Sequence, residues 1–483
     1  MADPAKGTTR TEAVAAMRRL MDAHQVEAVD LKFIDLPGRW HHLTLPSERL
    51  DDHLLHDGIS FDGSSVPGYS CSATASDMTL VPDPETALID PFWEHPTLSL
   101  ICDIHTGDGR AYARDPRGVA RRAEALLRAS GMADAAMMSP EFEFYVFDSV
   151  KHRCDVQTAF YAVDTEEGEW NSEAATSGGT RLPLRGGYHA LPPRDRLYEL
   201  REEMTRIIQS CGIPVKYQHH EGGGAGQSEI EVLFFPLLRA GDVAMTVKHI
   251  IRMVAGRAGK IATFMPKPLW NAAGSGMHIH QHLFRDGRPL FWDETGWAEL
   301  SEFALHYVGG LLHHGPALLG LTSPSTNSYK RLVPGFESPV HLIYGLANRS
   351  AAVRVPEGAR SPETKRIEFR PPDATCNIYL ALSGMLMAGL DGVRRKIDPV
   401  AAGFGPFDED ISTRPETIGR TAGTVPLSLA GAMDALERDH AFLLEGGVFD
   451  EDTLSAWIDL KRKESWDVSK RPHPREIALY FDA

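Results

Sequence analysis

Ionisable residues recur two apart inside segments that otherwise have the pattern of buried β-strands, and this spacing constrains the fold more than any other feature of the chain. In the segment 140–147, Glu141 and Glu143 alternate with Phe142 and Phe144. Successive side chains of a strand point to opposite faces, so two carboxylates share one face and two aromatic rings the other. The pattern predicts a sheet with one face on the core and one face that carries charge.

Two further segments repeat this spacing, and a third places two carboxylates around a glycine-rich stretch. His278 and His280 fall on one face of a strand, Glu221 and Glu229 bracket a glycine-rich stretch, and the segment 366–370 places a glutamate between two arginines. One such segment alone is typical of a solvated strand face, because charges prefer the surface. Four of them favour a shared cation, since facing carboxylates repel one another and lose hydration. Glutamates with a single histidine suit Mg²⁺ or Mn²⁺ better than zinc.

Arginines are concentrated downstream, and each offers a planar fork suited to phosphate or carboxylate. The five that we single out are Arg331, Arg349, Arg354, Arg366 and Arg370. No Walker A loop accompanies them: the segment 256–260 lacks the following Ser or Thr, and the glycines of 222–226 precede no lysine. A bound nucleotide is therefore expected to be held by metal ions and arginines.

Composition excludes several classes of protein. The chain has 483 residues, of which 42% are hydrophobic and 24% charged, as in an ordinary soluble protein of two or three domains. Its formal net charge of −16 argues against nucleic acid as a partner. Five widely spaced cysteines without a CxxC pair fit a reducing cytoplasm. The longest apolar run, 378–390, is too short to cross a membrane, and no export signal is evident.

The N-terminal part is predicted to be a small sheet with one helix. Thr9 and Glu12 form a capping box that begins the helix. The segments 28–34, 40–45 and 98–104 have the pattern of strands.

A second helix marks the predicted domain boundary. Asp115 is an N-cap residue, Pro116 occupies the first helical position and Gly131 ends the helix. We therefore predict one domain over residues 1–114 and another over 115–483. In the second domain, strands near 137–148, 227–235, 276–284 and 366–370 alternate with helices near 194–211, 238–257, 297–314, 377–395 and 452–464.

Seven motifs in order make the chain resemble the type I glutamine synthetases over nearly its whole length. They are FDGSS at 61–65, PEFE at 140–143, TFMPK at 263–267, GSGMH at 274–278, NSYKRLVPG at 327–335, NRS at 348–350 and RIEFR at 366–370. The resemblance implies an α+β fold with a small N-terminal β-grasp-like domain and a large catalytic domain, whose antiparallel sheet forms a funnel. It also implies a homo-dodecamer of two hexameric rings, with active sites between ring neighbours.

The activity implied by the resemblance is ATP-dependent ligation of ammonia to L-glutamate, a reaction of nitrogen metabolism. The γ-carboxylate would attack the γ-phosphate of ATP to give γ-glutamyl phosphate, which ammonia then attacks. At least two divalent ions, Mg²⁺ or Mn²⁺, would serve each site. One would be held by Glu143, Glu221 and Glu229, and the other by Glu141, His278 and Glu368.

Roles for the remaining site residues follow from the same resemblance. Arg349 and Arg370 would offset charge on the transferring phosphoryl group. The ATP contacts would be Phe234, which stacks on adenine, and His280, Arg354 and Arg366. Glutamate would bind Arg331 and the backbone of Gly274. The ammonium pocket would comprise Asp62 of a neighbouring subunit, Ser65, Tyr188 and Glu221, with Glu337 closing the site.

Departures from the family pattern keep an alternative open. Ala273 stands where an asparagine is usual, His282 where a nucleotide-contacting serine is usual, and Tyr69 where the family often has tryptophan. A γ-glutamyl ligase of the same fold that uses an organic amine, such as a polyamine or ethanolamine, would be compatible with these changes, whereas the complete acidic ammonium pocket favours ammonia. The loop 397–412 lacks the tyrosine of the adenylylated subclass, so we expect no control by adenylylation.

Two readings from other classes explain less of the sequence. A non-catalytic relative that keeps only the ring assembly should have lost metal ligands, and all six are present. An unrelated two-metal hydrolase or phosphotransferase would not account for the 61–65 motif or for Arg331.

Overall fold

The structure, a computed structural model, describes residues 9–69, 76–171, 181–409 and 423–483. Cys71 and the end of the loop 397–412 lie outside the described residues. The N-terminal part begins with helix α1 (Arg10–His24), and the predicted capping box between Thr9 and Glu12 is present.

A five-stranded sheet forms the body of the N-terminal domain. Its strands are β1 (Ala28–Ile34), β2 (Trp40–Pro46), β3 (Ile59–Asp62), β4 (Asp77–Ile89) and β5 (Thr97–Thr106), in the order β2-β1-β5-β4-β3. Strands β1 and β5 are parallel neighbours, and the other pairs are antiparallel. This domain also contains a short second helix, α2 (Asp52–Asp57), so the prediction of a single helix here was incomplete.

The larger domain is built on a mostly antiparallel sheet with β6 (Ala135–Phe147) near its centre. Its other strands are β9 (Val215–His220), β10 (Gln227–Val232), β11 (Phe235–Pro236), β12 (Ile261–Thr263), β13 (Ile279–Arg285), β14 (Arg288–Pro289), β15 (His341–Leu346), β16 (Ala351–Val355) and β17 (Ile367–Phe369); β7 (Ser149–Cys154) and β8 (Ala159–Asp164) form a separate hairpin. The main order is β15-β16-β17-β13-β6-β10-β9, and only β15 and β16 pair in parallel among these described strands.

The described helices of this domain are α3 (Pro116–Ser130), α4 (Tyr198–Ser210), α5 (Leu237–Arg257), α6 (Glu302–His313), α7 (Gly315–Thr322), α8 (Ser328–Arg331), α9 (Ile378–Arg395), α10 (Leu429–Arg438), α11 (Glu451–Ser469) and α12 (Pro474–Tyr480). Of these, α3, α4, α5 and α6 pack on strands of the sheet and bury its apolar side chains in a common core, whereas α12 has no buried residue. Phe142 and Phe144 of β6 are fully buried in this core, as their alternation predicts. None of the described helices is long and apolar enough to cross a membrane.

Two predicted helices begin later than expected. Helix α4 is predicted to begin near residue 194, and it begins at Tyr198. The helix predicted near 297–314 is interrupted: Ala298 has φ of 50°, and α6 begins only after Ser301, whose side chain accepts a hydrogen bond from the Ala304 amide. A left-handed residue cannot continue a right-handed helix, so the segment divides there.

Arg117 ties the two domains together through a buried ion network. Its guanidinium donates to both carboxylate oxygens of Asp242 on α5 at 2.9 Å. It also contacts Asp103 of β5 at 2.6 Å and Asp83 of β4 at 2.8 Å. The side chain is almost fully buried, and Arg121 contacts the same two N-terminal carboxylates from a half-exposed position.

We expect Arg117→Met to destabilise the protein by about 3–5 kcal/mol, because it leaves buried carboxylates without their cation. Arg121→Met is the matched control and should cost no more than about 1 kcal/mol, as exposed ion pairs do. Urea unfolding followed by tryptophan fluorescence measures both. Equal losses in the two variants would show that the buried network does not hold the domains together.

Candidate active site

The acidic residues predicted to bind metal lie on one face of the large sheet because their strands are neighbours. Strands β10 and β6 are paired so that Glu229 lies opposite Glu143 and Glu231 opposite Glu141. On the other side of β6, strand β13 carries His280 opposite Glu368 of β17. The alternation seen in the sequence thus becomes a single charged surface.

Glu141, His278 and Glu368 form the first compact group, with one ligand atom of each within 4.8 Å of the others. His278 Nδ1 lies 2.9 Å from Glu141 Oε2 and 3.5 Å from Glu368 Oε1. The other oxygen of Glu141 lies 2.7 Å from His280 Nε2. The structure therefore brings together the three residues predicted for one of the two metal ions.

The second group contains His219, Glu221 and Glu229. His219 lies 3.4 Å from Glu221 Oε2 and 3.7 Å from Glu229 Oε2. Glu143, predicted as the third ligand here, lies opposite Glu229, but its Oε2 accepts a hydrogen bond from the Gly276 amide at 2.6 Å, and its Oε1 is 3.9 Å from His278. Glu143 thus stands between the two groups.

The two groups differ in electrostatics. Burial, followed by the charge of Glu143, raises the pKa of Glu221 to about 7. Burial and the neighbouring carboxylates also raise the pKa of Glu229 well above its usual range. Burial also acts to raise the pKa of Glu141 and of Glu368, but nearby cations outweigh it. His280 and His278 hold the pKa of Glu141 well below its usual range. Arg370 lowers the pKa of Glu368 to about 2.

Unpaired buried atoms show that a cation fits this face. Glu221 Oε2 and Glu231 Oε2 are buried beside other carboxylates and have no hydrogen-bond partner in the part of the chain that the structure describes. Buried carboxylate oxygens are costly unless a donor or a cation meets them. Oxygen donors with one imidazole are the ligand set of Mg²⁺ and Mn²⁺.

Arginines approach the first group from β16 and the segment after β17. Glu368 accepts from Arg354 at 2.6 Å and also contacts Arg370, which donates to the Arg349 carbonyl. The Arg349 side chain is itself exposed, 3.9 Å from Glu337 in the loop before β15. Arg349 therefore borders the cluster on its open side, and Arg370 borders it on its buried side.

Arg331 is anchored among backbone carbonyls at the edge of the cluster. Its guanidinium donates to the carbonyls of Pro371 at 2.8 Å and Arg370 at 3.0 Å. Gly274 and Gly276 give it room: a Cβ at Gly274 would lie 2.7 Å from Arg331 Cγ, and one at Gly276 would lie 2.5 Å from its Nη2. The pocket around the predicted glutamate-binding arginine thus depends on these two glycines.

At the far end of the face lie the side chains predicted to contact the nucleotide. The rings of Phe234 and His282 are 4.5 Å apart, and Phe234 is 6.4 Å from His280. Three nitrogen atoms here are buried without a hydrogen-bond partner among the described residues: His280 Nδ1, His282 Nδ1 and Arg366 Nε. Burial, with the charge of Arg366, lowers the pKa of His282 to about 3. This end is therefore partly aromatic and rich in unpaired nitrogen atoms.

The predicted ammonium pocket is only partly assembled in one chain. Tyr188 is exposed beside Arg349, and its ring lies 5.5 Å from that of His219. Asp62 and Ser65 are exposed in the N-terminal domain, where the Ser65 hydroxyl donates to Asp62 at 2.9 Å. Across the described residues, no hydrogen bond or ion pair joins these two to the carboxylate groups.

Sequence reasoning missed two charged residues of this face, His219 and Glu231. Glu231 lies 2.6 Å from Lys216 Nζ and 3.9 Å from His280, and with Glu141 it forms a further compact group. The signal was present: His219 is two residues before Glu221 and Glu231 two after Glu229, the same period as the predicted ligands.

Family comparisons agree with this combination of fold and site. A β-grasp domain precedes a catalytic domain: the family model "Glutamine synthetase, beta-Grasp domain" matches residues 25–107, and "Glutamine synthetase, catalytic domain" matches 113–480. The chain belongs to the glutamine synthetase family.

Individual relatives give the same result. The chain is 46% identical to a glutamine synthetase of Frankia alni over 98% of this chain and 99% of that protein. It is also 46% identical to one of Mycolicibacterium smegmatis, over 96% and 98% respectively. A solved Plasmodium falciparum glutamine synthetase superposes with a TM-score of 0.87 at 26% identity, covering 98% of this chain and all of that one.

Proposed function

We propose that the protein is a glutamate–ammonia ligase, which uses ATP to join ammonia to L-glutamate and releases glutamine, ADP and phosphate. The observation that carries this proposal is the convergence of two carboxylate groups, Arg331 and the arginines around Glu368 on one sheet face, in a chain 46% identical to proteins named glutamine synthetase. A carboxylate is a poor electrophile toward amines, and its phosphorylation supplies a good leaving group.

Two divalent ions, Mg²⁺ or Mn²⁺, would be held on this face. The first would use Glu141, His278 and Glu368; the second Glu143, Glu221 and Glu229, with His219 close enough to take part. When bound, such ions act as Lewis acids and neutralise phosphate charge. The raised pKa values of Glu221 and Glu229 support a cation at the second group, because a positive charge would relieve the repulsion that raises them.

Protein cations would complete the stabilisation of the transferring phosphoryl group. Arg370 is fixed by Glu368, and Arg349 faces it from the open side, so both can offset charge without large rearrangement. Arg354, held by Glu368 at 2.6 Å, would support the phosphates. Glu337, on an exposed loop beside Arg349, would close the site and exclude water from the acyl phosphate.

Substrates would bind at opposite ends of the face. Arg331, with the Gly274 backbone beside it, would hold the α-carboxylate of glutamate. ATP would extend to the other end, with adenine on Phe234 and with His280 and Arg366 as polar contacts.

Asp62 would bind ammonium and take its proton, together with Ser65, Tyr188 and Glu221. Ser64 and Ser65 donate hydrogen bonds to Asp62 and lower its pKa, which keeps it an anion. Because Asp62 and Ser65 are exposed and do not contact the carboxylates of their own chain, they would act in the site of a neighbouring subunit. A homo-dodecamer of two hexameric rings would provide that arrangement, in the cytoplasm.

Exposed apolar side chains in and just after α12 support assembly with other copies. Ile477, Leu479, Tyr480 and Phe481 are all more than half exposed. Apolar clusters of this kind on a soluble protein indicate an interaction surface.

The function is tested by phosphate release with ATP, Mg²⁺, glutamate and a panel of amines: ammonium, ethanolamine and putrescine. We expect ammonium to be preferred. A preference of more than about ten-fold in kcat/KM for either organic amine, about 1.4 kcal/mol, would overturn the assignment and favour a γ-glutamyl ligase for that amine.

Ala273 gives a smaller prediction about glutamate affinity. Its carbonyl accepts from Tyr145 at 2.7 Å, and its side chain stands next to Gly274, where the family usually has an amide. Restoring the amide with Ala273→Asn should lower the glutamate KM by up to about ten-fold to a hundred-fold, the value of one hydrogen bond to a charged group. Steady-state kinetics over the amine panel would show unchanged amine preference; a switch of preferred amine would contradict separate glutamate and amine pockets.

A further inference from the structure

A second concave site lies away from the charged face, between the two domains. Its walls are the β1–β2 turn of residues 37–39, helix α5 and helix α11, together with the segments 263–265 and 374–375. The cavity has a volume of about 580 Å³. This is within the usual range for small-molecule sites. None of its lining residues belongs to the predicted catalytic set.

The charges that line this cavity are strongly unbalanced. Its cations are Arg39 from the turn, Lys248 and Arg252 from α5, and Lys461 from α11, against a single carboxylate, Glu464. Lys461 pairs with Glu464 at 2.9 Å. The other three cations have no carboxylate partner within hydrogen-bond reach in the parts of the chain that the structure describes.

Depth divides these cations into two sets. Lys248 and Lys461 are buried, and Lys248 Nζ donates to the Ala374 carbonyl at 2.6 Å. Arg39 and Arg252 are exposed and have no side-chain hydrogen bond to another described residue; Arg252 lies 5.1 Å from the Phe264 ring. Burial, with the charge of Arg252, lowers the pKa of Lys248 to about 8, as expected where positive charge lacks compensation.

We propose that this cavity binds a small dianionic metabolite carrying phosphate or carboxylate groups. The two arginines would supply forked donors at its mouth, and the buried lysines would supply positive charge at its base. A concave pocket of this size suits a small molecule better than a flat macromolecular surface, and its net positive lining contrasts with the net charge of −16 of the whole chain.

One backbone segment links the cavity to Arg331. In residues 371–375, the Pro371 carbonyl accepts from Arg331 and the Ala374 carbonyl accepts from Lys248. An anion that draws Lys248 toward itself would weaken the second contact and change the position of the first. Occupancy would therefore alter glutamate affinity, a consequence that rests on the proposed function.

Binding is tested by titration calorimetry of the full chain at constant ionic strength, with saturating MgADP to occupy the charged face. The probes are succinate for carboxylates and glycerol 3-phosphate for phosphates. We expect at least one probe to bind the wild type with a dissociation constant below about 1 mM. The double variant Arg39→Gln/Arg252→Gln should bind it at least about ten-fold more weakly, since each partly exposed ion pair contributes roughly 0.7 kcal/mol. Arg19→Gln is the control and should bind like wild type, because Arg19 is an exposed residue of α1 with no ion pair to another described residue.

The probe that binds with the lower dissociation constant identifies the ligand class. If neither probe binds wild type at about 10 mM, or if the double variant binds equally well, the site is wrong. In the glutamine assay, the bound probe should change the glutamate KM at least two-fold in wild type and not in the double variant. Binding with an unchanged KM overturns the link to Arg331 but leaves the site. A wild-type enzyme that forms no glutamine at all refutes the proposed function instead, and the calorimetry still decides the site.

Discussion

We expect Glu368→Gln to lower turnover at limiting Mg²⁺ by at least about a hundred-fold. Removing a residue that only hydrogen-bonds to a metal ligand usually lowers activity by less than this. Glu368 is fully buried and meets Arg354, Arg370 and His278 on one strand face. Glutamine keeps the shape but removes the negative charge, so both arginines lose their counter-ion and the first group loses a proposed metal ligand. Initial rates across a Mg²⁺ titration measure the effect.

Glu357→Gln is the matched control, because Glu357 is an exposed glutamate of the same region whose one ion pair among the described residues is with Arg360. Its rate should stay within about two-fold of wild type, as surface ion pairs contribute little. Wild-type turnover of Glu368→Gln at limiting Mg²⁺ would exclude Glu368 as a ligand.

Glu143→Gln separates the two metal groups. Glu143 accepts from the Gly276 amide and lies opposite Glu229, so its loss should affect the group near glutamate first. We expect a raised Mg²⁺ requirement together with a raised glutamate KM, whereas Glu368→Gln should raise the ATP KM. The same substrate pattern in both variants would mean that the assignment of ligands to two ions is wrong.

The strand pattern alone predicted the charged face because the period of a strand is a local property. Glu141, Glu143, His278 and Glu368 each follow from alternation with apolar neighbours, and the structure places all of them on one face. The same rule applied to 227–232 would have added Glu231, which lies between Ile230 and Val232. His219 has polar neighbours on both sides, so only its spacing of two from Glu221 indicates that it belongs to this face.

Long-range contacts could not be read from the sequence. Nothing local indicates that Arg331 will donate to carbonyls forty residues away, that β1 will pair in parallel with β5, or that Arg117 will meet three carboxylates from two domains. These contacts depend on how elements pack, which involves many weak terms at once. The break at Ala298 was also missed, because Ala298 and Glu299 adopt positive φ although neither residue type favours it.

The Gly276 position gives the second large prediction, and only the structure suggests it. A Cβ at Gly276 would lie 2.5 Å from Arg331 Nη2 and 2.8 Å from His278 Nε2. Arg331 cannot simply swing aside, because its guanidinium is buried and held by the carbonyls of Arg370, Pro371 and Pro372. Gly276→Ala should therefore displace together Arg331, which we propose binds glutamate, and His278, which we propose binds a metal ion.

We expect Gly276→Ala to lower kcat/KM for glutamate by at least about a hundred-fold, since misplacing reacting groups by about 1 Å has an effect of this size. Overpacking of this kind should cost only about 1–3 kcal/mol of stability, so the variant should remain folded by circular dichroism. Gly222→Ala is the matched control: it stands next to Glu221, and a Cβ there would meet no atom within 4 Å. We expect near wild-type kinetics for Gly222→Ala and a large loss for Gly276→Ala. That result would establish that the site is disrupted by crowding at Arg331 and His278. Added side-chain volume elsewhere near the carboxylates would then be excluded as the cause. Equal, small effects in both variants would mean that Arg331 and His278 tolerate displacement, and neither residue could then have the role proposed for it.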